Sequence, residues 1–282
     1  MRLSDITVLG RSLDPSYPPN LAIGALSLVV GAAGAVANLL SGRASLESVL
    51  WGIGAGFSVF LTWALARELD PAHDLSAFVG TGLTIAALPF FDLPALMPIF
   101  WLLVVLRVVN RTVGPPARPV DTLAVLGLGG WLTWQGNWIV GLVTALAFLL
   151  DGLLTNPLRY HLVLSGLAFA GTVVLSVFQG DIAMDSGPTM PVIISSVVMA
   201  GLFLVVVGTS REVRAVGDAT GEPLDARRVQ AAQLLALLTA LLYAWWDGLA
   251  GVEGLWLLWA AMVGVALYRL AHLFLARGQS QA

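Results

Sequence analysis

The chain has 282 residues, of which 58% are hydrophobic and 11% charged, with a mean hydropathy of +0.87 and a net charge of -3. A charged fraction under half the ~25% of soluble domains excludes an ordinary soluble enzyme and a disordered chain, and the lack of any basic stripe excludes nucleic acid as a partner. There is no cysteine, and all fourteen cationic side chains are arginine, which excludes disulfides, thiolate chemistry, a Schiff-base lysine and a P-loop lysine.

Residues 1–20 carry Arg2, Asp5, Arg11 and Asp14 with no apolar core of their own, so they read as a cytoplasmic segment rather than a cleavable signal. A spanning helix needs about 20 mostly apolar residues. The segments 21–40, 48–66, 75–91, 94–109, 121–134, 138–155, 160–178, 190–208, 229–247 and 253–275 meet that description, the fifth being the shortest and ending on the polar turn Gln135-Gly136-Asn137. Between the eighth and ninth, residues 209–228 mix charges with Gly217, Gly221 and Pro223 and read as a flexible cytoplasmic linker. Residues 276–282 form a cytoplasmic tail. The expected fold is therefore all-α: one transmembrane domain over 1–282, ten helices in five hairpins, with both termini in the cytoplasm of an inner membrane.

Arginine placement supports that count. With the amino terminus inside, thirteen arginines fall on internal segments and only Arg43 on an external one, a strong positive-inside bias. Trp131, Trp134, Trp138, Trp245, Trp246 and Trp256 gather near the external connections, as an outer aromatic belt requires. At the internal ends, Arg11-Ser-Leu-Asp14-Pro15 and Arg67-Glu-Leu-Asp70-Pro71 repeat, with looser copies at Arg107, Asn156-Pro157, Arg211 and Arg269. Duplication of a two-helix unit gives such a pattern. So does turn chemistry alone: an arginine facing the negative end of a helix dipole, then Asp-Pro or Asn-Pro to stop the helix.

Ionisable groups within spans are the first functional candidates. Asp151, about one turn from the internal end of the sixth span, is the coupling or substrate candidate, with a pairing to Arg107 or Arg159 as its structural reading. The densest polar run is Glu68-Leu69-Asp70-Pro71-Ala72-His73-Asp74. Asp70, Asp74 and His73 could hold Mg2+ there, with Arg67 and Arg107 on phosphate oxygens, and His161 and His272 lie on the same side of the membrane. The stretch Arg67-Glu68-Leu69-Asp70 resembles the tail of the first aspartate-rich motif of membrane prenyltransferases, which implies a metal-diphosphate site. Thr62 and Ala66 stand where that motif carries Asn and Asp, and the second region offers only Asp151. The likeness is one of carboxylate placement and assigns no family. On the outer side, Asp181 and Asp185 sit in a loop that reads as a solvated turn.

Ser27, Gly31 and Ala35 in the first span, and Gly52 and Gly56 in the second, recur at four-residue intervals. That spacing lets helix backbones approach closely, within the chain or between copies of it in a homo-oligomer. Ten spans with little mass outside the bilayer favour a carrier or permease for a small, uncharged or lipophilic solute, with no cofactor. A lipid-phase enzyme acting on an isoprenoid or phospholipid, using Mg2+, comes second, and a membrane scaffold or assembly subunit third.

Overall fold

In lipid a backbone must satisfy its own polar groups, so apolar segments of this length can only be helices. The computed structural model describes residues 7–10, 14, 16–180 and 187–279. Among these it contains eleven helices: α1 (Pro18–Leu40), α2 (Ser45–Leu69), α3 (Asp74–Ala87), α4 (Leu96–Asn110), α5 (Pro119–Trp134), α6 (Trp138–Leu153), α7 (Tyr160–Gln179), α8 (Met190–Thr209), α9 (Ala226–Trp246), α10 (Gly248–Gly254) and α11 (Trp256–Gln279). Residues 181–186, which carry both aspartates of the expected outer loop, lie outside the described residues, as do Arg11, Leu13 and Pro15 of the first repeat copy.

Each of the ten expected segments coincides with a helix, but the expectation of ten full-length spans is corrected. Six helices, α1, α2, α7, α8, α9 and α11, are long and apolar enough to cross a membrane. The other four segments form helices of 14 to 16 residues, about 21–24 Å at 1.5 Å per residue. Proline sets several of these limits. Pro89 and Pro94 lie in the non-helical stretch between α3 and α4, where neither can donate a backbone N–H to continue a helix, and Asn156, before Pro157, has left the right-handed helical region with φ +53°. The last expected span, 253–275, coincides with α11 apart from its first residues, and the short α10 precedes it.

Residues 209–228 are also more ordered than the sequence suggests. Val216 pairs antiparallel with Pro223, the Gly217 N–H donates to Glu222 O at 2.8 Å, and Asp218 and Ala219 donate to the carbonyls of Thr112 and Val113 at 3.2 and 2.9 Å. α9 then starts at Ala226, capped by the Asp225 carboxylate on the Arg227 N–H at 2.8 Å.

By contact the chain divides into two compact units. The first comprises residues 7–10 and Phe100–Val252, the second residues 14, 16–99 and 253–279, as far as they are described. In the first unit α6 packs on α5, α7 and α9, and α9 on α8. Val140, Val143, Ala147 and Phe148 of α6 are wholly buried there. Polar side chains along these helices are satisfied locally: Thr144 donates to Val140 O at 2.8 Å and accepts from Trp101 Nε1 at 3.0 Å, and Ser165 donates to Ala145 O at 2.8 Å.

In the second unit α2 is central, packing on α1, α3 and α11. Here the small-residue spacing acts within the chain: a Cβ on Gly31 would lie 2.8 Å from Gly52 O, one on Gly52 2.5 Å from Gly31 O, and one on Gly56 2.8 Å from Ser27 O. Both units expose apolar side chains in continuous faces, such as Leu28 at 76% on α1 and Phe178 at 86% on α7. Faces of that kind fit a surrounding of lipid.

Candidate functional site

The ends of five helices in the first unit meet at one carboxylate. Asp151, in the last turn of α6, is completely buried. Its Oδ1 receives Arg111 Nε at 3.0 Å and Nη2 at 2.6 Å, together with Arg228 Nη1 at 2.8 Å. Its Oδ2 lies 2.8 Å from Nδ1 of His161 in the first turn of α7. The other ring nitrogen, Nε2, is 3.0 Å from the hydroxyl of Thr122 on α5, which is itself 3.3 Å from the Tyr160 hydroxyl.

The expected partners of Asp151, Arg107 and Arg159, are therefore corrected. Arg107 donates instead to Leu9 O at 2.7 Å, and Arg159 occupies the N-cap position of α7. Arg111 reaches Asp151 because it follows the last residue of α4 in a left-handed conformation, φ +53°, which swings its side chain out of the α4 register. Nothing local in the sequence signals that turn.

Two arginines on one carboxylate leave an excess positive charge that needs further acceptors. Backbone carbonyls supply them. Arg228 donates to Val109 O at 2.9 Å and to Thr155 O at 2.6 and 3.0 Å, and Arg111 to Asn156 O at 2.9 Å. Val109 is one of the last residues of α4, and Thr155 and Asn156 follow the end of α6, so the guanidiniums sit at the negative ends of two helices. A polar cleft of about 110 Å3 adjoins this network, lined by Asn110, Arg111, Asn156, Glu222, Asp225 and Arg228 among others.

The second unit holds Arg67, Asp70, His73, Asp74 and His272 of the sequence candidates. Asp70 is buried and its Oδ1 lies 2.9 Å from His73 Nδ1, while Asp74 is engaged by Arg67 and by the Tyr17 hydroxyl. Arg269 Nη1 comes within 3.3 Å of His73 Nδ1, and the His73 and His272 rings are 5.6 Å apart. Asp70 and Asp74 thus turn to separate partners. Among the described residues no group of three or more His, Asp or Glu side chains is placed to hold a metal ion. The two arginines expected on phosphate fall in different units: Arg67 belongs to the second with Asp74, Arg107 to the first with Leu9. Likewise His161 joins Asp151 in the first unit, whereas in the second His73 joins Asp70 and the His272 ring lies beside that of His73, so the expected inner-face set is divided between the units.

Two apolar recesses were not visible in the sequence. In the second unit a groove of about 660 Å3 runs along α1 and α2, lined by Ser27, Leu28, Gly31, Ile53, Phe57 and Phe60 among others. In the first unit a smaller one of about 290 Å3 lies along α8 and α9, lined by Val192, Ser196, Leu238, Leu242 and Trp245 among others. Each contains a serine whose hydroxyl is buried with no partner among the described residues, Ser27 in one and Ser196 in the other. A buried hydroxyl without a partner costs about 1–3 kcal/mol and calls for an explanation.

The chain matches no family model, no curated protein and no solved structure.

Proposed function

We propose that the protein is a multi-pass carrier or permease of the inner membrane, for a small, uncharged or lipophilic solute. The observation that carries this reading is the α1–α2 groove. Its walls are apolar, its lining residues Leu28, Ile53 and Phe57 are all more than half exposed, and its one buried hydroxyl, Ser27, has no partner among the described residues. Such a lining suits a solute that is apolar along its length and carries a single hydrogen-bonding group. The pairing of Asp151 supports the same choice, because a carboxylate clamped by two arginines serves the frame better than it serves an ion path. A lipid-phase enzyme using Mg2+ has less behind it, since Asp70 and Asp74 face different partners. In this proposal the chain crosses ten times, the short helices α3 to α6 crossing together with the segments that flank them, and both termini lie in the cytoplasm.

The test is movement of a dye-labelled long-chain alcohol between the leaflets of proteoliposomes. Wild type is expected to speed the transfer, and Ile53→Trp, which fills the groove, to abolish the gain without changing the unfolding temperature. A wild-type rate equal to that of protein-free vesicles would overturn the proposal, as would an Ile53→Trp rate equal to wild type.

A further inference from the structure

The polar cleft of the first unit carries an inference that is independent of the carrier reading, since it rests on none of the groove residues. Three observations converge on it. Arg111 and Arg228 both line it, and both are more than nine-tenths buried. A guanidinium has five N–H donors, and the bonds to Asp151 and the backbone carbonyls leave each of the two with at least one still uncommitted among the described residues.

The second observation is backbone strain. Arg111 and Asn156 are the two non-glycine residues with positive φ, +53° each, among the described residues, and both line this cleft. A side chain held in that region costs about 1–2 kcal/mol, and such strain persists where the surroundings enforce it, often at ligand sites. The third is the sign of charge. Glu222 and Asp225 line the cleft together with the arginines, and Glu222 is kept there by the Val216–Pro223 turn, which is tied to the carbonyls of Thr112 and Val113.

We infer that this cleft binds a small zwitterion, with its oxyanion on Arg111 and Arg228 and its ammonium on Glu222. A bare anion would meet the Glu222 and Asp225 carboxylates, and a bare cation would meet two guanidiniums. A ligand carrying both charges a few bonds apart satisfies each wall, and oxyanions are the ions arginine holds best. The volume of about 110 Å3 is small beside the roughly 300–1,000 Å3 of ordinary ligand pockets, which favours one compact head. A free amino acid and the ethanolamine phosphate of a lipid headgroup share this chemistry.

The experiment is calorimetric titration of the full chain in detergent with glycine, glycerophosphoethanolamine, glycerol phosphate and ethylamine. One of the two zwitterions is expected to bind at least about tenfold more tightly than glycerol phosphate or ethylamine, and which one binds identifies the source. Glu222 is exposed, so Glu222→Gln folds normally. It is expected to weaken the zwitterion about fivefold, the upper range for an exposed pair, while leaving glycerol phosphate unchanged. Glycerol phosphate binding as tightly as the zwitterions, a Glu222→Gln titration identical to wild type, or no binding by any probe to a sample with a normal unfolding transition would overturn the inference.

Discussion

Asp151 shows what one buried carboxylate can organise. It joins the end of α6 to the start of α7 through His161, to the residue after α4 through Arg111 and to the first turn of α9 through Arg228. The α9 end of this network is fastened a second time by Asp225. Burial draws the Asp225 carboxyl upward, but hydrogen bonds from Thr155 and from the N–H groups of Arg227 and Arg228, with the Arg228 guanidinium nearby, outweigh it and hold the group below its ordinary value. In the unfolded chain an aspartate titrates near 3.9. Its contribution is therefore complete above that value and is lost as pH falls through the lower folded one. Asparagine keeps the cap but not the charge, so Asp225→Asn is expected to unfold at lower temperature than wild type at pH 7, and the gap to close as the solution is acidified below pH 4. Unfolding curves of both proteins in one detergent, from pH 7 to pH 2.5, test this. Equal temperatures at pH 7 would show that the charge contributes nothing. That Asp151 is buried and paired was readable from its depth in an apolar segment, whereas its partners were not. Several arginines are expected on its side of the membrane, and the choice among them depends on which helix ends pack together, with Arg228 lying 77 residues away in sequence.

Among the helices, the sequence was most informative where spacing alone determines contact. Ser27, Gly31 and Ala35 against Gly52 and Gly56 were expected to bring two backbones together, and they do so between α1 and α2, which occupies the small-residue face inside the chain. The pairing of α3 with α11 is at least as close, since a Cβ on Gly264 would lie 2.2 Å from Gly80 N. Ser76, Gly80 and Thr84 on α3 and Ala260 and Gly264 on α11 carry the same four-residue spacing, but nothing in the spacing says that these two segments, nearly two hundred residues apart, are partners. At Gly52 an added methyl would meet Gly31 O at 2.5 Å and Ala35 Cβ at 2.7 Å, neither of which can rotate aside. Gly52→Ala is therefore expected to destabilise the protein by about 1–3 kcal/mol, the cost of overpacking. Gly24, on the same α1, has nothing within 4 Å of such a methyl, and Gly24→Ala is expected to be neutral or stabilising through helix propensity. Thermal unfolding of the pair in one detergent tests the α1–α2 contact; equal shifts in both would count against it. Helix length was less readable, because hydropathy runs straight through Leu88-Pro89 while the backbone does not.

For the molecule as a whole, the arginine distribution constrains the topology less than it first suggests. Arg43 is external and the remaining arginines internal if the chain crosses ten times, and the same division results if only the six long helices cross. Removing α3, α4, α5 and α6 together takes away an even number of crossings, so every later segment keeps its side, and the turns that would move inward, around residues 89–93 and 135–137, contain no arginine. Trp131 and Trp134 are about half exposed at the end of α5, and the Trp138 ring packs edge-on against Trp246 at 4.7 Å, the arrangement of an interfacial belt. Trp246 ends the long helix α9, so this contact sets residue 138 beside the far end of α9. The chain has no cysteine, so single cysteines can report position without background. Introduced at Arg43, Gln135 and Glu212, all exposed, they are expected to give labelling by a membrane-impermeant maleimide on intact cells at 43 and 135, and at 212 only after permeabilisation. Positions 43 and 212 fix the orientation and respond identically in both topologies, whereas position 135 alone distinguishes them. Labelling at 135 that requires permeabilisation, as at 212, would mean that α5 and α6 turn back without crossing, which removes the ten-passage topology.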